Sequence, residues 1–257
     1  MSANQPAHLP IRNRILNALT RSEYERLTPH LESVNLWAGE VLYRPEEPIT
    51  HAYFPNRGTV SLVSTFEDGE GVEVGMVGNE GMFGVCVFLG SISTPLLAQV
   101  QMAGDGFRMR ADVLRKEFRK CGQLQDLLLR YTQAFITQIA QGAACNRAHD
   151  IDGRLAKWLL MCQDRSHSKE LELTHEFIAT MLGTRRAGVT QAAGALKQRG
   201  LIDYRRGRIT LIDREGLEAI SCECYPLVKK EFERLVGVGG RTRHETKSRI
   251  PHSTVHY

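Results

Sequence analysis

At Arg110 the chain changes its hydrophobic period, and that change limits what it can fold into. Before it, short apolar and β-branched runs fall at residues 34–37, 41–44, 52–55, 59–66, 72–77, 97–102 and 107–110. Gly39, Pro45, Pro48, Gly58, Gly78, Asp68 with Gly69, and Asp105 with Gly106 separate them. Short strands at such close spacing predict a sandwich, barrel or β-roll. After Arg110, apolar residues recur every three or four positions. Residues 112–119 read as a short helix and 123–149 as a long one, with Leu124, Leu127, Leu128, Tyr131, Phe135, Ile139 and Ala143 on one stripe. Such a stripe is a core face or a dimer seam. A helix that connects two regions has few neighbours of its own chain, so a seam is expected. Ahead of the strands, residues 12–31 have the spacing of one helix. The uncharged stretch 81–104 is long enough to raise a membrane span. Gly84, Gly90, Pro95 and several polar residues break it, so it reads as a buried, glycine-bent core segment.

The second half is also the more basic. Residues 1–150 carry 14 Lys and Arg against 16 Asp and Glu, whereas residues 151–257 carry 19 against 13. Between positions 185 and 208 there are seven basic residues and a single acid, Asp203. This asymmetry points to a polyanionic partner. The order of elements narrows it. Thr174 is a good N-cap residue, and Phe177, Ile178, Met181 and Leu182 give helix 174–182 an apolar face. Gly183 suits a tight turn. A second helix, 185–199, turns Val189, Ala193 and Leu196 inward, and Ala192, Gly194 and Ala195 permit close packing. Arg185, Arg186, Thr190 and Gln191 face outward near its N-terminus, the end that a recognition helix inserts into the major groove. Arg pairs bidentately with guanine, and Gln with adenine. Residues 204–211 read as a hairpin turning at Gly207, whose Arg205, Arg206 and Arg208 would lie along phosphates as a wing. His175, Lys197 and Arg199 are further candidates for phosphate contact. Helix, glycine turn, helix and basic hairpin follow the order that a winged helix-turn-helix needs, so double-stranded DNA is the expected partner. The other reading is a ligand-sensing or interaction module whose winged helix docks on protein or RNA. A protein-docking surface would present apolar residues where Arg185 and Arg186 stand.

On these residues the chain resembles the catabolite-activator/FNR (Crp/Fnr) family of bacterial transcription regulators. The resemblance reaches to about Leu235. It is carried by Gly58 and the strand after it, by the turn from Val77 and Gly78 to Gly81, Met82 and Phe83, and by the run Asp152, Gly153, Arg154, Leu155. Its most specific part is the run Leu182, Gly183, Thr184, Arg185, Arg186. The resemblance implies an α+β fold: a cyclic-nucleotide-binding-like β-roll sensor (12–122), a dimerisation helix (123–150) and a winged helix-turn-helix (151–236). The sequence itself adds an expected leader (1–11) and, from its Gly, Arg, His, Ser and Thr content, an expected disordered basic tail (237–257). It places Arg186 at the family's base-reading arginine. Ala187 stands where many members have Glu, and Gln191 where many have a second Arg, so a different operator is expected. It further implies a homodimer through residues 123–149 acting on a near-palindromic site, with RNA polymerase as a further partner.

In members that bind cyclic nucleotides, a loop carries Gly-Glu and, further on, an Arg that pairs with the cyclic phosphate. A buried phosphate without such a partner is very costly. Here Asn79 and Glu80 follow Gly78, residues 81–104 hold no Lys or Arg, and Pro95 stands near the place of that Arg. A signal other than cyclic AMP is therefore expected, its identity open. The pocket candidates are Gly78, Asn79, Glu80, Gly81, Met82 and Phe83. No cofactor is expected, and the family's N-terminal iron–sulfur type is excluded because the first cysteine is Cys86. Cys222 and Cys224 form the one close pair, and a four-ligand zinc site needs two more ligands. His149, His167 and His175 do not converge along the sequence, so no metal is expected. No catalytic residue is expected either: the Gly-Lys-Ser/Thr phosphate loop, His-Glu-x-x-His and Gly-x-Ser-x-Gly patterns are missing. Without a basic-then-apolar leader, a cytoplasmic chain with reduced thiols and no membrane partner is expected.

Overall fold

The computed structural model describes residues 11–67 and 70–237. The N-terminal helical stretch is two helices, not one. Asn13 caps α1 (Arg14–Asn17) and Thr20 caps α2 (Arg21–Leu27), each accepting a backbone N–H three residues on. Thr20 satisfies orphan donors better as a cap than as an interior helical residue, so the chain restarts there.

The strands follow in the expected order: β1 (Glu32–Leu36), β2 (Val41–Tyr43), β3 (His51–Pro55), β4 (Thr59–Thr65), β5 (Gly71–Val77), β6 (Leu97–Met102) and β7 (Gly104–Arg110). They pair antiparallel into two sheets, β1-β7-β3 and β2-β6-β4-β5. Leu36, Phe54, Val60, Phe83, Val100 and Phe107 fill the space between them. The uncharged stretch 81–104 is buried only at its two ends. Met82, Phe83, Val87, Ala98 and Val100 are in the core, whereas Leu89 and Ile92 are exposed. It also carries a short helix, α3 (Val85–Leu89), set between Gly84 and Gly90.

After α4 (Ala111–Phe118) comes α5 (Gln123–Ala148), 26 residues long. Most of its stripe is a core face, with Ala143 at its end left exposed. Leu124, Leu127, Leu128, Tyr131 and Phe135 are buried within the chain. One cover is α10 (Cys224–Val236), which returns from the far end of the chain and sets Phe232 against Tyr131, ring centroids 6.2 Å apart. The other is β5, where Gly75 lets Phe135 approach so closely that a Cβ there would stand 2.8 Å from its ring. The apolar residues left exposed are on the opposite face, among them Leu129 (46%) and Ile136 (54%).

The C-terminal half comprises α6 (Ile151–Ser166), β8 (Glu170–Glu172), α7 (His175–Leu182), α8 (Arg186–Gln198), β9 (Ile202–Arg205), β10 (Arg208–Leu211), α9 (Arg214–Ile220) and α10. The hairpin is part of a three-stranded sheet, β8-β10-β9, whose edge strand β8 no sequence pattern announced. A second core gathers Leu155, Trp158, Ile178, Val189, Leu196, Ile209 and Leu217, and also takes in Val63 and Met76 from β4 and β5. The two halves are thus packed together. The expected leader and tail lie outside the described residues, except Ile11 and Gly237. Among the described residues no helix is long and apolar enough to cross a membrane.

Candidate nucleic-acid interface

The α7–α8 pair is set by its turn. Gly183 takes a left-handed φ of 57°. Its N–H bonds the Thr180 carbonyl and that of Thr184 bonds the Ala179 carbonyl, a paired closure that ends α7 and redirects the chain within two residues. Arg154 donates to the Leu182 carbonyl and to Asn146 Oδ1 of α5, tying this turn to the long helix. Val189, Ala192, Ala193 and Leu196 bury one face of α8. Arg185, Arg186, Thr190 and Gln191 lie on the exposed face, as the sequence placed them. Two guanidinium groups at the positive end of a helix make an anion-seeking surface. Arg186 Nε stands 3.7 Å from Glu176 of α7, both side chains being largely exposed. Thr190 Oγ1 donates to the Arg186 carbonyl at 3.0 Å and stands 3.1 Å from His175 Nδ1, so it is partly engaged within the protein.

The wing turns at Arg206 and Gly207, both at positive φ (47° and 78°). That is the backbone a two-residue hairpin needs, and it is unusual for arginine. The turn projects Arg206 clear of the sheet. The six phosphate candidates then separate. Among the described residues Arg199 and Arg206 are exposed and make no ion pair. Lys197 and Arg205 share Asp203 at 2.6 and 3.0 Å. Arg208 pairs with Glu170 and Glu172 of β8 at 3.3 and 2.9 Å across the antiparallel β8–β10 pair. His175 differs from the other five. Its ring stacks on Tyr204 with centroids 4.1 Å apart, and its Nε2 is buried without a partner. Burial, then the nearby Arg186, lowers its pKa. Its ring is thus engaged largely within the protein.

The sensor-side candidates are filled by the chain itself. Met82 and Phe83 belong to the first core. Tyr131 donates to the Met82 carbonyl at 3.0 Å, and Asn13 Nδ2 to that of Gly81 at 2.7 Å. Glu80 has a partner that no local pattern announced: Arg165 of α6, 2.8 Å away, with both side chains buried. Arg165 also donates to Gln138 Oε1 of α5. Of the six candidates, Asn79 and Glu80 border open space. They line a cleft of about 500 Å³ between the β-roll, α6 and α10, with Arg14, Arg165, His167 and Arg214 on its other walls. A second buried contact crosses the two halves. Glu73 of β5 accepts from Trp158 Nε1 at 3.0 Å and lies 2.5 Å from Ser61 Oγ, and burial raises its pKa to about 7.

Comparison with known proteins completes the picture. A family model for the cyclic nucleotide-binding domain matches residues 33–120, and one for the Crp-like helix-turn-helix domain matches residues 153–220. The chain belongs to the Crp/Fnr family. As a Crp/Fnr-family protein it is a DNA-binding transcription regulator, and α7, α8 and the wing form its helix-turn-helix domain. The global nitrogen regulator of Synechococcus elongatus is 26% identical over 188 residues, covering 70% of this chain and 85% of that one. The CRP-like cAMP-activated global transcriptional regulator of Mycobacterium tuberculosis is 24% identical over 214 residues, covering 79% and 94%. The solved structure of FixK2 from Bradyrhizobium japonicum superposes with a TM-score of 0.64 at 18% identity, covering 75% of this chain and 98% of that one, a likeness of fold.

Last, the structure corrects the reading of the histidines. His149 does converge with cysteines: it meets Cys145, Cys222 and Cys224. His167 instead contacts Asn79 at 3.2 Å.

Proposed function

We propose that this protein is a homodimeric, sequence-specific regulator that reads a near-palindromic DNA site and answers to a signal other than cyclic AMP held in the family's usual mode. The observation that carries the DNA reading is the exposed N-terminal face of α8, where Arg185, Arg186 and Gln191 stand together beside a wing whose tip is Arg206. Arg186 and Gln191 read base edges, while Arg199 and Arg206 engage phosphates. Lys197, Arg205 and Arg208 join them only by exchanging a carboxylate for a phosphate. Thr190 is a weaker base-reading candidate, since its hydroxyl is already engaged. RNA polymerase is the natural further partner of a regulator at a promoter.

The dimer seam in this proposal is the outer face of α5, Leu129, Ile136, Ala140 and Ala143, spaced at three, four and seven. Two-fold symmetry sets the half-sites ~34 Å apart, one turn of DNA. Against cyclic AMP stands the filled loop: Glu80 is neutralised by Arg165, and Tyr131 closes over Met82. The relatives include nitrogen regulators and a cAMP-activated regulator, so kinship alone does not choose the signal.

The test is selection of preferred sites from random duplex DNA by the purified protein, with an Arg185→Ala/Arg186→Ala variant beside it. An inverted-repeat consensus that vanishes in the variant supports the reading. A consensus without inverted symmetry refutes the dimer, and a variant with unchanged preference refutes the placement of α8.

A further inference from the structure

We propose that Cys145, His149, Cys222 and Cys224 form a mononuclear, zinc-type metal site joining the end of α5 to the junction between α9 and α10. One ligand atom from each residue lies within 4.8 Å of all the others. The Sγ atoms of Cys145 and Cys222 are 3.5 Å apart, and Cys224 Sγ is 3.5 Å from His149 Nδ1. Tetrahedral zinc with bonds of ~2.3 Å to sulfur and ~2.0 Å to nitrogen sets neighbouring donors roughly 3.5–3.8 Å apart. Two edges of that tetrahedron are therefore already at their length before any ion is added, and the other donor pairs lie within 4.8 Å.

The local structure explains how the four meet. Cys145 and His149 are one helical turn apart, at i and i+4, and face the same way. Cys222 and Cys224 flank the start of α10, whose packing along α5 brings them across. The three cysteines are buried and form a cluster of their own, apart from both hydrophobic cores. Apolar packing therefore does not account for them.

The surroundings suit a cation held by thiolates. His149 offers Nδ1 to the cluster while its Nε2 contacts Glu223 Oε1 at 3.1 Å, the carboxylate–histidine relay that orients a metal-binding imidazole. Gln141 Nε2 donates to Cys224 Sγ at 3.1 Å. Lys157 Nζ lies 3.2 Å from Cys145 Sγ, so its charge offsets the net −1 of a dication with three thiolates. Three sulfurs and one imidazole select zinc-like ions over magnesium or calcium. With four protein ligands the site is closed, so its role is structural and not catalytic. A disulfide between Cys145 and Cys222 would leave Cys224, His149 and Glu223 without a purpose, and an iron–sulfur cluster needs its thiolates spread more widely.

Metal content decides the matter. Full-length protein without a histidine tag, purified reduced and free of chelator, is analysed by plasma mass spectrometry and then reloaded with cobalt(II). About one zinc per chain is expected, with tetrahedral ligand-field bands and a thiolate-to-cobalt charge-transfer band after exchange. Cys222→Ser and Cys224→Ser should each lose the metal, while a Cys86→Ser/Cys121→Ser control keeps it. His149→Ala, at a partly exposed position, tests the site with least risk to folding. Glu223→Gln should weaken zinc binding by ~10-fold. Circular dichroism separates metal loss from unfolding. The proposal falls if wild-type protein stays metal-free in added zinc and cobalt, if Cys222→Ser or His149→Ala binds as wild type does, if iron and sulfide replace zinc, or if the freshly isolated protein carries a Cys145–Cys222 disulfide.

Discussion

Replacing Glu73 by Gln should stabilise the protein above neutral pH and have a much smaller effect at pH 5. Glu73 stands where β5 meets α6, and two hydrogen-bond donors and no cation reach its carboxylate directly. Ser61 has one hydroxyl hydrogen but two acceptors in reach, Glu73 Oε2 at 2.5 Å and Gln101 Oε1 at 2.8 Å. A protonated Glu73 resolves this. It donates to Ser61, which donates to Gln101, while Trp158 donates to the other carboxyl oxygen. Burial accordingly raises the Glu73 pKa from 4.5 to about 7. Below pH 4.5 the folded and unfolded chains both carry the proton, and no penalty arises. Between 4.5 and 7 the unfolded chain loses its proton alone, so stability falls as pH rises. Above 7 the folded chain ionises too, and the loss is complete. At about 1.4 kcal/mol per pH unit, that span amounts to roughly 3 kcal/mol. Gln keeps the shape and an acceptor for Trp158 and carries no charge at any pH. Urea unfolding at pH 5 and pH 8, followed by the fluorescence of the buried Trp158, compares the two proteins; Trp37 is largely exposed and reports little. The variant should gain about 3 kcal/mol over wild type at pH 8 and less than about 1 kcal/mol at pH 5. An equal difference at both pH values would refute the reasoning, since a packing effect has no such pH dependence.

Arg186→Ala should cost ~1–3 kcal/mol of specific binding and relax preference at one base pair, read by competition binding on single-substituted sites. Arg206→Gly should weaken all sequences alike and lower the salt slope by about one per subunit, without loss of thermal stability, because glycine prefers the left-handed turn that Arg206 occupies. Leu129→Glu with Ile136→Glu should give a folded monomer in sedimentation experiments, since both side chains are exposed within one chain; an intact dimer would move the seam elsewhere. Glu80→Gln should destabilise by ~3 kcal/mol in urea unfolding, because Arg165 is left buried without its counter-charge.

The strands were legible in the sequence because turn residues punctuate them and apolar runs are short. The α7–α8 pair was legible because a cap, a glycine turn and an inward row of small residues all lie within 25 positions. What was hidden depends on distant partners. The stripe on α5 resembled a seam because nothing in residues 123–149 reveals that α10 folds back to cover it. Arg165 and Glu80 are 85 residues apart, and Cys145 and Cys222 are 77, so no local spacing links either pair. Strand β8 is only three residues long, with one buried leucine between two glutamates, too short to show a period. The stacking of His175 on Tyr204 joins positions almost thirty apart, so no local spacing shows it.

The return of α10 along α5 adds an attachment of the DNA-binding half to the long helix, beside the shared core and the Arg165–Glu80 and Trp158–Glu73 contacts. The chain leaves α5 at Ala148 to enter that half and comes back to α5 through Val228, Phe232 and Val236. A body held by a single strap can swing in any direction; one held at several places cannot. Any rearrangement that turns α8 must therefore shift α10 on α5 or bend the chain between α5 and α6. A change at either place alters the course of that turn as well as its ease.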